Sequence, residues 1–331
     1  MPWQSLASLK REIPRSTRND TIAKMRIIFF GSGSFGLPSL EGLIKAKENL
    51  VAVITAPDRP KGRGLRLKQT PIKEKATFYN LPIYQDKDTK EPHFKEILSS
   101  LNPDLGILIA FGSILNREII SLPKMGIINL HPSLLPQYRG SAPIPRAIIK
   151  GEKETGNSII KINEGIDSGA IILQERIKIK SEDTAGSLSE RMAKEGASLL
   201  LKAISLLKEE KATLRTQNEE EATFAPKLKK SDGLINWKRE AEEIHNLVRG
   251  LSPWPSAYTY LEGKRLKIWE SEIKKEEGKP GEILKAEKEQ LLIGCGKGSL
   301  LIKRLQLEGK KKMAAGEFLR GHPLKIGTAL G

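Results

Sequence analysis

Near its start, the chain alternates apolar and helical patterns in a fixed order. An apolar run at residues 27–30 leads into a glycine-rich turn at 31–36, a helical pattern at 37–44 and a second apolar run at 50–54. Parallel strands need a crossover connection, usually a helix, between them. The order strand, turn, helix, strand therefore predicts a sheet of parallel strands with helices on both faces.

Later segments continue this alternation. Apolar runs at 105–110, 126–130 and 158–162 are typical of strands and are separated by helical or loop segments. A long amphipathic helix is predicted next, and it closes an α/β domain that we place at residues 25–212. Its apolar positions lie on one face: Leu188, Met192, Leu199, Leu200, Ala203, Ile204 and Leu207.

The flanking and C-terminal segments differ in pattern. Residues 1–24 lack a sustained apolar period and are predicted to be a disordered leader, with Met25 as an alternative start. Residues 213–231 are dense in charge and are predicted to be an exposed linker. Short strand-like runs with glycines between them fill 232–331, which predicts a small all-β barrel or sandwich.

Composition excludes several classes of protein. The longest wholly apolar runs, such as 107–111, are far shorter than the ~20 residues of a membrane-spanning helix. Cys295 is the only cysteine, which excludes an internal disulfide. A reducing compartment and no structural zinc are therefore expected.

The excess of basic residues is the first indication of a partner. The chain has 56 Lys and Arg against 40 Asp and Glu, a net charge of +16, and such a surface attracts polyanions. Residues 57–75 alone carry a net charge of +5 in a segment rich in glycine and proline. This segment follows a predicted strand, where α/β sheets bind ligands, and we expect it to grip a phosphate backbone. A solvated loop without a partner is the alternative.

The turn Gly31–Gly36 has the G-x-G-x-x-G spacing of dinucleotide-binding domains. Those domains place an acidic residue at the end of the second strand. Here Thr55, Ala56 and Pro57 stand at that place, before Asp58. We therefore expect the glycines to form a tight turn, with or without an anion at the helix N-terminus. Dinucleotide binding is the lesser alternative.

Asn129 and His131 are the strongest candidates for chemistry. They lie two residues apart on a predicted strand, so their side chains point the same way. Pro132 favours extended backbone at His131. An amide beside an imidazole can stabilise an oxyanion while handling a proton. A histidine simply hydrogen-bonded at a strand end is the alternative. Asp167, between glycines, is either a turn residue or a carboxylate that orients the imidazole.

Together these motifs resemble the folate-dependent formyltransferase family. The resemblance rests on Asn-Leu-His-Pro-Ser-Leu-Leu-Pro at 129–136, Tyr-Arg-Gly at 138–140 and Gly-Ile-Asp-Ser-Gly at 165–169. The Pro-Asp-Arg-Pro-x-Gly-Arg-Gly loop at 57–64 and Ser-Pro-Trp-Pro at 252–255 are similar to the members that act on tRNA.

The resemblance implies a fold and a reaction. The fold is a Rossmann-like catalytic domain that binds no dinucleotide, followed by an OB-like β-barrel. The reaction is transfer of the formyl group of 10-formyltetrahydrofolate to the α-amino group of initiator methionyl-tRNA, without a metal. Asn129 and His131 would stabilise the oxyanion of a tetrahedral intermediate, and Asp167 would assist proton transfer.

The resemblance also implies binding residues and a cellular role. The folate pocket wall would include Ser133, Leu134, Leu135 and Pro136. The tRNA would contact Arg59, Lys61, Arg63, Arg66 and Lys68. A cytoplasmic monomer that supports translation initiation, with no membrane partner, is expected. The nearest alternative is a formyltransferase acting on a small amine such as glycinamide ribonucleotide or an amino sugar. A nicotinamide-dependent oxidoreductase and a non-catalytic RNA-binding module are alternatives from other classes.

Overall fold

Two large β-sheets organise the chain in the computed structural model, which describes residues 24–61, 66–85 and 91–331. The predicted leader lies outside the described residues, apart from Lys24. The same holds for residues 62–65, at the centre of the basic segment.

The first half of the chain alternates strands and helices, as the sequence predicts. Its strands are β1 (Arg26–Gly31), β2 (Asn49–Ile54), β3 (Arg59–Lys61), β4 (Arg66–Lys68), β5 (Ile83–Tyr84), β6 (Leu105–Ile109), β7 (Ile127–His131), β8 (Glu154–Lys161) and β9 (Ile171–Lys178). Its helices are α1 (Leu37–Lys45), α2 (Pro71–Phe78), α3 (Pro92–Ser100), α4 (Arg117–Ile120), α5 (Pro143–Lys150) and α6 (Ala185–Lys208).

The larger sheet has the strand order β5-β2-β1-β6-β7-β8-β9. The first five strands are parallel, which confirms the predicted Rossmann-like class. The chain runs from β1 outward to β5 and then returns to β6 on the other side of β1. Open α/β sheets of this kind usually bind ligands at the carboxyl ends of the strands, near such a reversal.

Three features of this sheet differ from the sequence prediction. The short strand β5 and strand β9 are additional to the predicted strands, and β8 runs antiparallel to both of its neighbours. Apolar periodicity shows that a segment is extended, but not in which direction it pairs. The short connection from β8 to β9 makes them a hairpin.

Successive residues of β1 pack on opposite faces of this sheet. Ile27 and Phe29 contact the core under α1 and α6, while Ile28 and Phe30 join the core that contains Phe94 of α3. The strand is apolar throughout because helices cover both faces. The predicted long helix is α6, and eight of its apolar side chains are buried: Leu188, Met192, Ala193, Ala197, Leu199, Leu200, Ala203 and Ile204.

The second sheet is antiparallel and confirms the predicted C-terminal β-structure. Its elements are α7 (Ala241–Gly250), β10 (Ala257–Leu261), β11 (Lys264–Lys274), β12 (Ile283–Glu287), β13 (Gln290–Gly294), β14 (Ser299–Leu307), β15 (Met313–Ala314) and α8 (Ala315–Gly321). The C-terminal residues join its two edges, because Gly331 N–H donates to Tyr260 O (3.1 Å) and Ile283 N–H donates to Thr328 O (2.9 Å). This backbone pairing closes the sheet into a barrel.

The segment between the two sheets is less exposed than its charge predicts. Gln217, Ala225 and Leu228 are buried, so the prediction of an exposed linker is wrong for them. Burial here comes from contacts with distant residues, which charge density along the chain does not report.

Among the described residues, no helix is both long enough and apolar enough to cross a membrane.

Candidate active site

Strand β7 delivers Asn129 and His131 to the same place, as predicted from their spacing. Both side chains are buried, and His131 is only 4% exposed. Asn129 Nδ2 donates to Asp167 Oδ1 at 3.3 Å, and His131 Nδ1 lies 3.4 Å from Asp167 Oδ2. The structure therefore brings the three predicted residues together, although 36 positions separate His131 from Asp167 in the chain.

Asp167 lies in the turn that joins β8 to β9. Its backbone has φ +48°, a left-handed conformation that Asp adopts more readily than most residues. The turn is tight, because a Cβ placed on Gly169 would overlap the carbonyl of Lys161. A further hydrogen bond holds the carboxylate, since Gly140 N–H donates to Asp167 Oδ2 at 2.9 Å.

Both nitrogens of the His131 imidazole face hydrogen-bond acceptors. Nε2 lies 3.0 Å from the carbonyl oxygen of Tyr138, and a carbonyl only accepts, so Nε2 carries a hydrogen and donates it. Nδ1 faces the Asp167 carboxylate, an arrangement that is satisfied when Nδ1 also carries a hydrogen. The ring is therefore oriented as a donor of hydrogen bonds.

The turn after β7 is anchored at Tyr138. This residue has φ +59°, and its hydroxyl donates to Glu152 Oε1 at 2.6 Å. Burial, with the Glu152 carboxylate as a second cause, raises the pKa of Tyr138 well above its ordinary value. The phenol therefore stays neutral and keeps this hydrogen bond, which fixes the turn whose carbonyl holds His131.

A cavity of about 210 Å³ opens beside Asn129 and Asp167. Its walls are mostly apolar, and Ile114 and Ile166 contribute side chains that are 81% and 62% exposed. An apolar cleft with a few convergent polar groups is the usual form of a small-molecule site. The remaining walls come from β6, β8, residues 113–120 and the Asp167 turn: Leu108, Ser113, Leu115, Ile120, Ile160, Ile162, Asn163, Glu164, Gly165 and Gly169.

The segment Ser133–Pro136 is not among the residues that line this cavity. Ser133 and Leu135 are buried, and Leu135 packs against Ile160 and Ile171 of the β8–β9 hairpin. In addition, Ser158 Oγ donates to Ser133 O at 2.6 Å. The segment thus braces β8 in this structure, and its contact with folate stays a prediction.

The described part of the basic segment is a two-stranded ribbon rather than a loop. In its backbone register Arg59 pairs with Lys68 and Lys61 with Arg66, while Arg63 lies outside the described residues. Arg59 and Lys68 are exposed. The ribbon follows β2, which is parallel to β7. It therefore leaves the sheet at the carboxyl ends of the parallel strands, where His131 also lies.

The base of the ribbon is tied to the sheet by Asp58. Lys73 Nζ lies 2.8 Å from Asp58 Oδ2, and Gln85 Nε2 donates to Asp58 Oδ1 at 3.0 Å. Hydrogen bonds from Lys73 and Gln85 hold the pKa of the Asp58 carboxyl below its ordinary value. Asp58 therefore serves as an anchor for the ribbon.

The glycines of Gly31–Gly36 form a tight turn, as predicted. The N–H groups of Ser32 and Gly33 both donate to Ala110 O, at 3.3 and 3.1 Å. These two amides already have a partner within the protein. A Cβ on Gly33 would also lie 3.2 Å from the side chain of Ala110. Close packing between β1 and the end of β6 thus accounts for these glycines.

Sequence reasoning missed two residues that support this site. Arg139 is only 3% exposed, and its guanidinium donates to Gln217 Oε1 through Nε (3.0 Å) and Nη2 (2.8 Å). Arg139 had a signal, because it lies within the Tyr-Arg-Gly motif. Gln217 had none, because it lies in a polar stretch that matches no motif.

Two family models match this chain. The model described as "Formyl transferase" matches residues 25–204, and the one described as "Formyl transferase, C-terminal domain" matches residues 227–323.

Relatives and solved structures agree with these matches. A "Methionyl-tRNA formyltransferase" of Syntrophus aciditrophicus (strain SB) is 45% identical over 312 residues, 94% of this chain and 100% of that protein. One of Thermodesulfovibrio yellowstonii is 46% identical over 301 residues, 91% and 97% of the two chains. An N-formyltransferase from Helicobacter canadensis, solved with folinic acid and dTDP-3-aminofucose, shares the fold. Its TM-score is 0.65 at 21% identity, with 87% of this chain and 100% of that chain covered.

Replacing Gly140 by alanine tests whether close packing holds the turn against residues 223–225. Gly140 has φ +113°, and an added Cβ would lie 2.9 Å from Ala225 O. Gly309, with φ +76° and no atom within 4 Å of an added Cβ, is the matched control. Urea unfolding should show Gly140→Ala to be less stable than Gly309→Ala by about 1–3 kcal/mol, the usual cost of overpacking. Equal losses in the free energy of unfolding of the two variants would mean that the close contact with Ala225 O adds nothing to the cost of the backbone conformation.

Proposed function

This chain belongs to the formyl transferase family, and we propose that it transfers the formyl group of 10-formyltetrahydrofolate to the α-amino group of methionyl-tRNA. One observation carries the proposal. Asn129, His131 and Asp167 meet beside an apolar cavity, in a chain 45% identical to a methionyl-tRNA formyltransferase along that protein's full length.

The cavity fits part of a folate. Its volume of about 210 Å³ is below the ~300–1,000 Å³ of pockets that bury whole drug-sized ligands. It would therefore hold only part of the donor, and the exposed side chains of Ile114 and Ile166 in its lining could contact the remainder. When bound, the folate supplies the formyl group, and Asn129 and Asp167 lie at the wall where that group would arrive.

Asn129 and His131 act on the charge that develops during transfer. Attack by an amine on a formyl carbon places negative charge on the formyl oxygen, and fixed N–H donors lower the energy of that state. Asn129 Nδ2 has two hydrogens, and only one is needed for Asp167, so the other is free for this oxygen. His131, whose ring nitrogens face Tyr138 O and Asp167 in this structure, is proposed to turn one ring N–H to the same oxygen when the substrates bind.

Asp167 acts on the proton. An α-amino group titrates near ~7.7 in model peptides, so a useful fraction is neutral at cellular pH. The nitrogen becomes positively charged on attack and must then lose a proton. The Asp167 carboxylate, held by Gly140 N–H at 2.9 Å, is placed to accept that proton from the amine.

The basic ribbon β3–β4 is proposed to hold the tRNA beside the site. Arg59 and Lys68 are exposed, and their ribbon lies at the carboxyl ends of the parallel strands, where β7 also ends. We assign Lys61, Arg63 and Arg66 to the same contact because they continue the basic run. The C-terminal barrel would offer further cations, such as Lys312, whose Nζ lies 4.9 Å from the centre of the Trp269 ring. Cations near an aromatic face suit phosphates and unpaired bases.

The proposed division of the chain follows the predicted one: a catalytic domain at 25–212, a linker at 213–231 and a tRNA-binding domain at 232–331.

A charged initiator tRNA is a cytoplasmic substrate, so we place the enzyme in the cytoplasm. We further propose that it works as a monomer, which sedimentation of the purified chain would test.

Formylation of methionyl-tRNA is the decisive assay. Purified protein with 10-formyltetrahydrofolate should form formyl-methionyl-tRNA, measured by acid gel or mass spectrometry of the released amino acid. An amino-sugar nucleotide and glycinamide ribonucleotide serve as competing acceptors. Turnover with either small amine and none with the tRNA would overturn the proposed acceptor.

His131→Ala should lower kcat by about 100–1,000-fold, the usual loss when one oxyanion donor is removed. His93→Ala is the matched control, because His93 is exposed on α3. Steady-state kinetics of both variants give the comparison. An unchanged kcat for His131→Ala would remove this residue from the chemistry.

Replacing Arg59 and Lys68 together by alanine should raise KM for methionyl-tRNA and leave folate affinity unchanged. Each lost phosphate contact should also lower the slope of log K against log salt by about 0.7–0.9. Lys45→Ala is the control, since Lys45 is exposed at the end of α1, before β2 begins. A matching loss of folate affinity in the double variant would contradict the assignment.

A further inference from the structure

Gln217 uses the full hydrogen-bonding capacity of its side chain in a buried position. The residue is 6% exposed. Its Nε2 donates to the carbonyl oxygens of Asp167 (2.8 Å) and Gly169 (2.7 Å). Its Oε1 accepts both hydrogen bonds from Arg139 described above. Two donors and two acceptor sites are all that a carboxamide has. Gln217 thus joins the turn that carries Asp167 to the turn that follows His131.

The guanidinium of Arg139 is also bound by the carboxylate of Glu219. Nη1 lies 2.7 Å from Glu219 Oε2 and Nη2 lies 2.8 Å from Glu219 Oε1, a two-pronged pairing that fixes the plane of the guanidinium. The hydrogen bond from Arg139 holds the pKa of the Glu219 carboxyl below its ordinary value. Arg139 stands between Tyr138, whose carbonyl binds His131, and Gly140, whose N–H binds Asp167.

Backbone pairing holds the same segment, residues 215–225, which we call the strap, against both turns. Arg215 exchanges two hydrogen bonds with Ile171, at 2.8 and 2.9 Å. At its other end, Arg139 N–H donates to Thr223 O (2.8 Å) and Ala225 N–H donates to Arg139 O (2.7 Å). The strap therefore spans from β9 to the turn after β7, and Gln217 lies where it crosses between them.

We propose that Gln217 is a positioning residue for formyl transfer, which holds Asp167 at its working distance from Asn129 and His131. This inference rests on the function proposed above. Without the Gln217 amide, the carbonyls of Asp167 and Gly169 would lose a buried donor, and leaving such groups unpaired is costly. The turn would then rearrange, and its left-handed residue is Asp167 itself.

The role of the strap follows from its place in the chain. It joins the two segments that match separate family models, 25–204 and 227–323. The segment that connects the two parts therefore also supports the turns around Asp167 and His131 in the first part.

Gln217→Glu is the sharpest test, because it keeps the shape and both acceptor sites for Arg139 but removes the two N–H donors. We expect kcat to fall by about 10–100-fold, since small misplacements of catalytic groups cost this much. KM for methionyl-tRNA should stay unchanged. Asn218→Ala is the matched control in the strap, since Asn218 is exposed and its side chain accepts from Glu220 N–H and donates to Glu221 Oε1. Gln217→Leu, which removes donors without adding charge, serves if the first variant does not fold.

Nuclear magnetic resonance of protein with ¹⁵N-labelled histidine gives a second readout. The chain has four histidines, and the His131 signals are those absent from His131→Ala. Loss of the Gln217 donors should shift the His131 nitrogen signals and leave the other three in place. Unshifted His131 signals, or a kcat equal to that of Asn218→Ala, would overturn the proposal. If the unmodified protein does not formylate methionyl-tRNA, the proposed function fails, while the histidine signals still decide whether Gln217 positions the site.

Discussion

The active site can form only when the Asp167 carboxylate has its hydrogen-bond partners in place. This carboxylate accepts from Asn129 and Gly140 and faces the imidazole of His131, so its partners come from one strand and the turn that follows it. A carboxylate that is largely removed from water is stable only when such partners are in place. Strand β7, the turn after it and the β8–β9 turn must therefore all be correct at once.

Support for this carboxylate extends well beyond its immediate contacts. Gly140 must lie close to the backbone of residue 225, and Gly169 close to that of Lys161. Gln217 and Arg139 then connect the two turns through a buried network. In this network the Gln217 carboxamide is fully paired. Such fully paired networks favour one arrangement over others, because any alternative leaves polar groups unsatisfied. The apolar sheet provides a rigid base, and the polar turns provide the geometry.

The charge of the chain is separated from its chemistry. The ribbon β3–β4 carries the exposed residues Arg59 and Lys68, whereas Asn129 and His131 are buried. Exposed cations attract a polyanion over a distance and lose this attraction in salt. Buried donors act only on atoms that reach them. A long acidic substrate with a reactive end is the kind of molecule that uses both.

Local patterns in the sequence predicted the alternation of strands and helices, the shared direction of Asn129 and His131 on β7, and the basic segment after β2. These features depend on local periodicity and on charge, which neighbouring residues carry. These patterns did not reveal strand β9, the antiparallel direction of β8, or the buried part of the strap. The sequence offered Asp167 either as a turn residue or as a partner of the imidazole, and the family resemblance favoured the second role, but its contact with His131 depends on the fold. Gln217 shows the physical reason: its four hydrogen bonds join residues 48 to 78 positions away, and no local pattern encodes such contacts.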